Sequence, residues 1–190
     1  MKKILIITAY NPASFENLNH QLLNLAQENH SNIKVRNLYE LHDKGFNIEE
    51  EQVQVMLADT VIFQFPVFND LVSKLIPKYF QDVFEPGFGF SADESHLSAS
   101  KEVGLISVIE GEKLSQELCN GTLLKPVEVI INTCDWKLSG TLEIIFSDPY
   151  AMCKVSEKGT KDLKRTGQDK IELYAEFLER LAQEELQPMD

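Results

Sequence analysis

The stretches of this chain best suited to chemistry are turn-forming segments that follow apolar runs. Ala9-Tyr10-Asn11-Pro12-Ala13-Ser14 separates the apolar run Ile4–Thr8 from a helical pattern carried by Leu18, Leu22, Leu25 and Ala26. Backbone N–H groups at such a helix start can neutralise a phosphate locally, whatever the net charge of the protein. Ser14 and Asn17 stand there as oxygen and amide donors, or equally as plain helix caps. The second stretch is Gln64-Phe65-Pro66-Val67-Phe68-Asn69. Proline cannot donate to a sheet ladder, so a buried strand is expected to end at Pro66 and turn the following backbone outward, where it can grip a flat polar ring. The plainer alternative is that Pro66 only ends the strand and Phe68 packs in the core. Cys119, Cys134 and Cys153 lack metal-ligand spacing, as do His20, His30, His42 and His96, so no metal site is expected.

These stretches need elements to position them, and the periodicity supplies a series. Ile4–Thr8 reads as a buried strand and Ile33–Leu38 as an alternating one nearer a sheet edge. Glu49–Leu57 reads as a short helix, Ala58–Phe65 as a third strand, and Leu71–Phe84 as an amphipathic helix with Pro77 as its weak point. Glu102–Val108 and Leu138–Phe146 read as further strands, with a helix over Thr122–Cys134 between them, and Asp162–Leu186 as a long charged closing helix whose apolar face covers the sheet. Strands alternating with helices predict an α/β doubly wound parallel sheet of five strands with helices on both faces, because parallel neighbours need crossover connections. In such sheets ligands bind beyond the carboxyl ends of the strands, which makes the loop after the first strand the leading site. Residues 1–190 are expected to form one domain.

The 190 residues carry a formal net charge of −12, which repels phosphodiester backbones and anionic lipid, so nucleic-acid binding is not expected. No apolar stretch approaches the roughly 20 residues needed for a membrane span, and no membrane insertion is expected. Met1-Lys2-Lys3 precedes only four apolar residues, Ile4 to Ile7, without a signal-cleavage pattern. With an odd number of cysteines, this points to a reducing, cytoplasmic location.

Phe46-Asn47-Ile48-Glu49-Glu50-Glu51-Gln52, then Ala58-Asp59-Thr60-Val61-Ile62-Phe63-Gln64-Phe65-Pro66-Val67-Phe68, then Asp82-Val83-Phe84-Glu85-Pro86-Gly87-Phe88-Gly89-Phe90, closely resemble the flavodoxin-like NAD(P)H:quinone oxidoreductase family, which includes ancillary subunits of potassium-efflux systems. The resemblance covers nearly the whole chain and weakens past about residue 146. It implies a sheet of order 2-1-3-4-5, FMN or FAD at the strand ends, NAD(P)H as co-substrate, and a homodimer. The implied reaction is ping-pong hydride transfer to a quinone-like small-molecule acceptor. The cofactor carries that chemistry and the protein supplies position and electrostatics, so no nucleophile-plus-base constellation is required.

By the same resemblance, the flavin site comprises Tyr10, Ser14, Asn17, Asn19, Pro66, Val67, Phe68, Asn69, Ser107, Val108, Ile109, Glu110 and Gly111. Several of these depart from the family pattern. Phe68-Asn69 stands where Tyr-Trp is usual, removing a large indole from the ring site. Asp70, Leu71 and Ser73 also differ. With Asn19 matched to the family's helix-opening Asn, Glu16 takes the place of a phosphate-binding Ser, and Tyr10-Asn11-Pro12 replaces His-Pro. Ser107-Val108-Ile109-Glu110-Gly111 replaces Thr-Thr-Gly-Gly, and a carboxylate there disfavours an anionic reduced ring. These changes keep a second reading open: a catalytically silent binding or regulatory subunit of the same fold.

Overall fold

The computed structural model describes residues 1–10, 17–68, 71–72, 74–89, 101–110, 125–146, 152–156, 163–166 and 170–183. Ile4–Thr8 forms β1, buried at every position as a central parallel strand requires. Asn17–Asn29 forms α1 and buries Leu22, Leu23 and Ala26. Ile33–Asn37 forms β2, half exposed at its outer positions. Leu38–Leu41, α2, was not anticipated; it starts where the Asn37 side chain accepts a hydrogen bond from the Tyr39 N–H. Ile48–Leu57 forms α3. The Asn47 side chain caps it through the Glu50 N–H, and Glu49, Glu50 and Glu51 place negative charge in its first turn, where the helix dipole favours it.

Thr60–Phe68 forms β3, Leu71–Val72 the short β4, and Leu75–Val83 α4. Glu102–Glu110 forms β5, Lys125–Thr133 α5, and Lys137–Phe146 β6. Met152–Ser156 is β7, Leu163–Thr166 is β8, and Lys170–Ala182 is α6. The parallel core runs β2-β1-β3-β5-β6, which is the expected order 2-1-3-4-5 when its five parallel strands are numbered alone. An antiparallel pair, β7 and β8, extends it past β6.

Three expectations are corrected. Leu71 and Val72 are not helical: they pair antiparallel with Phe68 and Val67 as β4, and α4 begins at Leu75, which leaves Pro77 in a first turn whose N–H groups need no helical partner. The closing helix does not begin at Asp162, because Leu163–Thr166 pairs with β7 and the helix starts at Lys170. The third strand does not end at Pro66 but runs on to Phe68. Gln64 O accepts from the Ala9 N–H, so Gln64, and Pro66 two residues on, direct their main-chain polar groups toward β1, which has already stopped at Thr8. The proline therefore costs no ladder bond.

Two apolar layers sandwich the sheet. On one face, Leu5, Ile7, Val61, Phe63 and Leu105 pack against α3, α4 and α5, with Phe80, Phe84 and Trp136 in an aromatic cluster. On the other, Ile4, Ile6, Ile62, Ile106 and Leu142 pack against α1 and α6. The closing helix covers the sheet as expected, through Leu173, Tyr174, Phe177, Leu178 and Leu181, while Ile171 is exposed. Gly104 and Gly140 are register partners on β5 and β6, and a Cβ at Gly104 would sit 2.7 Å from Leu181 Cδ1. The missing side chain is what lets α6 approach this closely.

Candidate functional site

The sheet's strand order reverses between β1 and β3, and the strands end there at different heights. β1 stops at Thr8, opposite Gln64, while β3 continues to Phe68 and β5 to Glu110. On its β5 side, β3 stays paired through Pro66 with Val108 and Val67 with Ile109. On the side that β1 vacates, Val67 and Phe68 pair with β4. The carboxyl edge is thus a step with β1 as its floor and β3 and β5 as its wall.

The register sorts the expected site residues into two faces. Tyr10 follows β1 and is buried with Ile4, Ile6, Leu22 and Leu23 on the α1 face, and Val108 packs on the same layer. Burial, then the charge of Glu40, raises the Tyr10 pKa above its ordinary value, so the phenol stays protonated. Asn19 is buried on that face too. Ser107 is buried in β5 with Phe65 and Glu143 as its register neighbours, on the opposite face of the sheet. Asn17 opens α1, and Pro66, Val67, Phe68, Ile109 and Glu110 hold their places by backbone register. Ser14, Glu16, Asn69 and Gly111 lie outside the described residues.

The strongest polar feature was read in the sequence only as part of a motif. Gln64, completely buried, donates through Nε2 to Asn19 Oδ1 at 3.1 Å, and its Oε1 accepts from the Tyr174 hydroxyl at 2.8 Å. Beside it in register, Thr8 is equally buried, and its Oγ1 has no hydrogen-bond partner among the described residues. A glutamine between Phe63 and Phe65 is the available signal, since buried polar groups are nearly always partnered. Glu143, buried in β6 between Leu142 and Ile144, sends the same signal.

The remaining described features do other work. Phe46 meets Tyr79 edge-on with ring centroids 5.3 Å apart, Gln52 Nε2 donates to Val83 O at 2.9 Å, and Glu51, 1% exposed, pairs with Arg36 and accepts from the Tyr79 hydroxyl at 3.2 Å. Burial by itself would lower the Arg36 pKa; the hydrogen bond and charge of Glu51, helped by Glu50, hold it above its ordinary value. One groove of about 490 Å³, lined by residues including Lys3, Asn32 and Leu57, lies at the amino ends of β1 and β2, away from the step. Among the described residues no group of His, Cys, Asp and Glu could hold a metal ion, and no helix is long and apolar enough to cross a membrane.

No curated protein sequence matches this one. Among solved structures, a thermophilic tryptophan halogenase from S. violaceusniger superposes with a TM-score of 0.70 at 18% identity, over 95% of this chain and 99% of that one. A putative quinone reductase from Klebsiella pneumoniae gives 0.69 at 20% identity, over 96% and 86%. General stress protein 14 from Treponema denticola, in complex with FMN, gives 0.67 at 16% identity, over 77% and 87%. At these identities the likeness is one of fold, and the differing names show that this architecture does not dictate one reaction. Residues 2–142 match the family model described as flavodoxin-like fold, and the chain belongs to that family.

Proposed function

We propose that this chain is a flavin-dependent NAD(P)H oxidoreductase that reduces quinones or similar two-electron acceptors. The observation that carries this reading is the step at the carboxyl edge, where a buried hydroxyl without a partner among the described residues, Thr8 Oγ1, lies beside the start of the segment leading into α1. Support also comes from two neighbours of the same fold, one named a putative quinone reductase and one bound to FMN.

The residues present fit a phosphorylated flavin. N–H groups at the head of α1, with the Asn19 amide, would hold the phosphate, and the anion would be favoured there by the helix dipole. The ends of β3, at Pro66–Phe68, and of β5, at Ser107–Glu110, would border the ring. Ser14 and Asn17 would complete the phosphate loop, and Asn69 and Gly111 the ring site. When bound, the flavin supplies two-electron hydride chemistry with NAD(P)H as donor. The chain's own part is to orient the ring and acceptor on a rigid sheet edge and to exclude water from them, so that donor and acceptor meet in one geometry. Alternation of donor and acceptor at one site, a homodimer and a cytoplasmic location belong to the same reading.

One observation favours a second reading. Val67 and Phe68, whose backbone was expected to be free for the ring, are paired with β4 on the side that faces the step. A chain that keeps the fold and uses this edge for a hairpin would serve as a catalytically silent regulatory subunit. Titration of the purified protein into FMN and FAD separates the two. The oxidoreductase reading expects quenching of flavin fluorescence and flavin-dependent oxidation of NADPH or NADH by a quinone; no binding of either flavin at high micromolar concentration refutes it.

A further inference from the structure

The hydrogen-bonded chain from α6 through β3 to α1 has a direction. The Tyr174 hydroxyl donates to Gln64 Oε1, and Gln64 Nε2 donates to Asn19 Oδ1. All three side chains are at most 3% exposed. Turning both amides over would reverse the chain and leave the Tyr174 proton buried without an acceptor among the described residues, which is costly. Burial also raises the Tyr174 pKa far above its ordinary value, so the phenol remains a donor.

Each amide thus receives on its oxygen, and the donor group at the end of the chain is Asn19 Nδ2. It stands in the first turn of α1, where the helix dipole is positive, and Gln64 occupies the amide's oxygen, not its nitrogen. Thr8 Oγ1, buried opposite Gln64, has no hydrogen-bond partner among the described residues. A buried hydroxyl without a partner among the described residues, beside an amide whose nitrogen is not used by Gln64 at a helix head, suits an anion.

We propose that Gln64 and Tyr174 are positioning residues: they hold the Asn19 amide with Nδ2 presented to the phosphate end of the ligand. In this arrangement α6 sets the phosphate affinity of a site built by β1 and α1. The proposal rests on the flavin reading for the identity of the phosphate ester, but its geometry concerns any phosphate.

The test compares dissociation constants for FMN and for riboflavin, which lacks the phosphate, in wild type and Tyr174→Phe. Losing one aligned hydrogen bond is expected to weaken FMN about three- to tenfold. Riboflavin should change less than about twofold, since it does not engage the amide. Asn19→Asp, which replaces the terminal donor by a carboxylate, should lower the FMN preference further. An unchanged FMN-to-riboflavin ratio in folded Tyr174→Phe overturns the positioning role while leaving flavin binding intact. If wild type binds neither flavin, or if Tyr174→Phe does not fold, inorganic phosphate titrated into ¹⁵N-labelled wild-type protein decides. Movement of the Asn19 side-chain amide resonances, identified by their loss in Asn19→Asp, supports the proposal. Resonances that stay fixed at saturating phosphate overturn it.

Discussion

The buried pair Arg36–Glu51 gives a prediction whose size follows from its surroundings. The Glu51 carboxylate is 1% exposed and has Arg36 as its cation and the Tyr79 hydroxyl as a further donor, at 3.2 Å. Arg36→Met removes the cation and leaves the carboxylate buried with the hydroxyl alone. Breaking a buried pair from one side costs about 3–5 kcal/mol. The second contact of Arg36, to Glu50 at 3.0 Å, adds little because Glu50 is half exposed. The double variant Arg36→Met/Glu51→Leu removes both charges at similar volume, and its remaining cost is the Tyr79 hydroxyl left without its acceptor, about 1–3 kcal/mol.

The double variant should therefore be more stable than Arg36→Met alone, a reversal that additive effects cannot produce when Glu51→Leu alone is destabilising. Urea unfolding of both variants, of Glu51→Leu and of wild type measures it. With a slope of about 2–3 kcal/mol/M, the Arg36→Met midpoint should fall by roughly 1–2.5 M and the double variant should recover about half of that. A fall below about 0.4 M for Arg36→Met, or a double variant less stable than Arg36→Met, would show that water reaches this pair and that the burial argument is wrong.

The remaining predictions use the same kind of measurement. Gly104→Ala places a methyl 2.7 Å from Leu181 Cδ1 and 3.3 Å from both Ile62 Cγ1 and Phe177 Cε1, so overpacking should cost about 1–3 kcal/mol in urea unfolding; no loss would mean that α6 shifts freely over the sheet. Burial pushes the Cys134 thiol up to about 12. The unfolded thiol deprotonates near its ordinary value while the folded one keeps its proton, so this group should leave stability unchanged below pH about 8 and lower it as pH rises above about 9. Cys134→Ala should flatten that part of the stability–pH curve, and peptide mapping after iodoacetamide treatment of native protein at pH 8 should find Cys134 unmodified; rapid labelling there contradicts the burial.

What the sequence disclosed follows from the range of the interactions. Ile4–Ile7 and Val61–Phe63 are continuous apolar runs, and continuity alone marks strands buried on both faces, so the central sheet was legible. The short strands were not. Leu71–Val72 and Leu163–Thr166 exist because a neighbouring strand offers a ladder, and pairing of that kind overrides local helical patterning. Pro66 misled for a related reason: whether a proline ends a strand depends on which neighbour its nitrogen faces, and that is a property of the assembled sheet. Gln64 was conspicuous as a polar residue in an apolar run, yet its partner Tyr174 lies 110 residues away in a helix that read as an apolar face.

The same distinction bears on what the family motif means here. In Phe46–Gln52, the stretch most like the family, Phe46 packs on Tyr79, Asn47 caps α3, Glu51 pairs with Arg36 and Gln52 ties to the Val83 carbonyl. Those contacts account for the motif by packing alone, so its presence argues for the fold and is neutral on chemistry. Thr8, Gln64, Asn19 and Tyr174 argue in the other direction. An apolar set of similar volume would fill the space between α1, β3 and α6 without the desolvation cost of four polar groups. A buried chain beside a hydroxyl, Thr8 Oγ1, that has no partner among the described residues is a poor structural device and a reasonable binding one. The identity of the ligand is thus best sought at these four residues, and an anion that satisfies Asn19 Nδ2 would explain why they are polar.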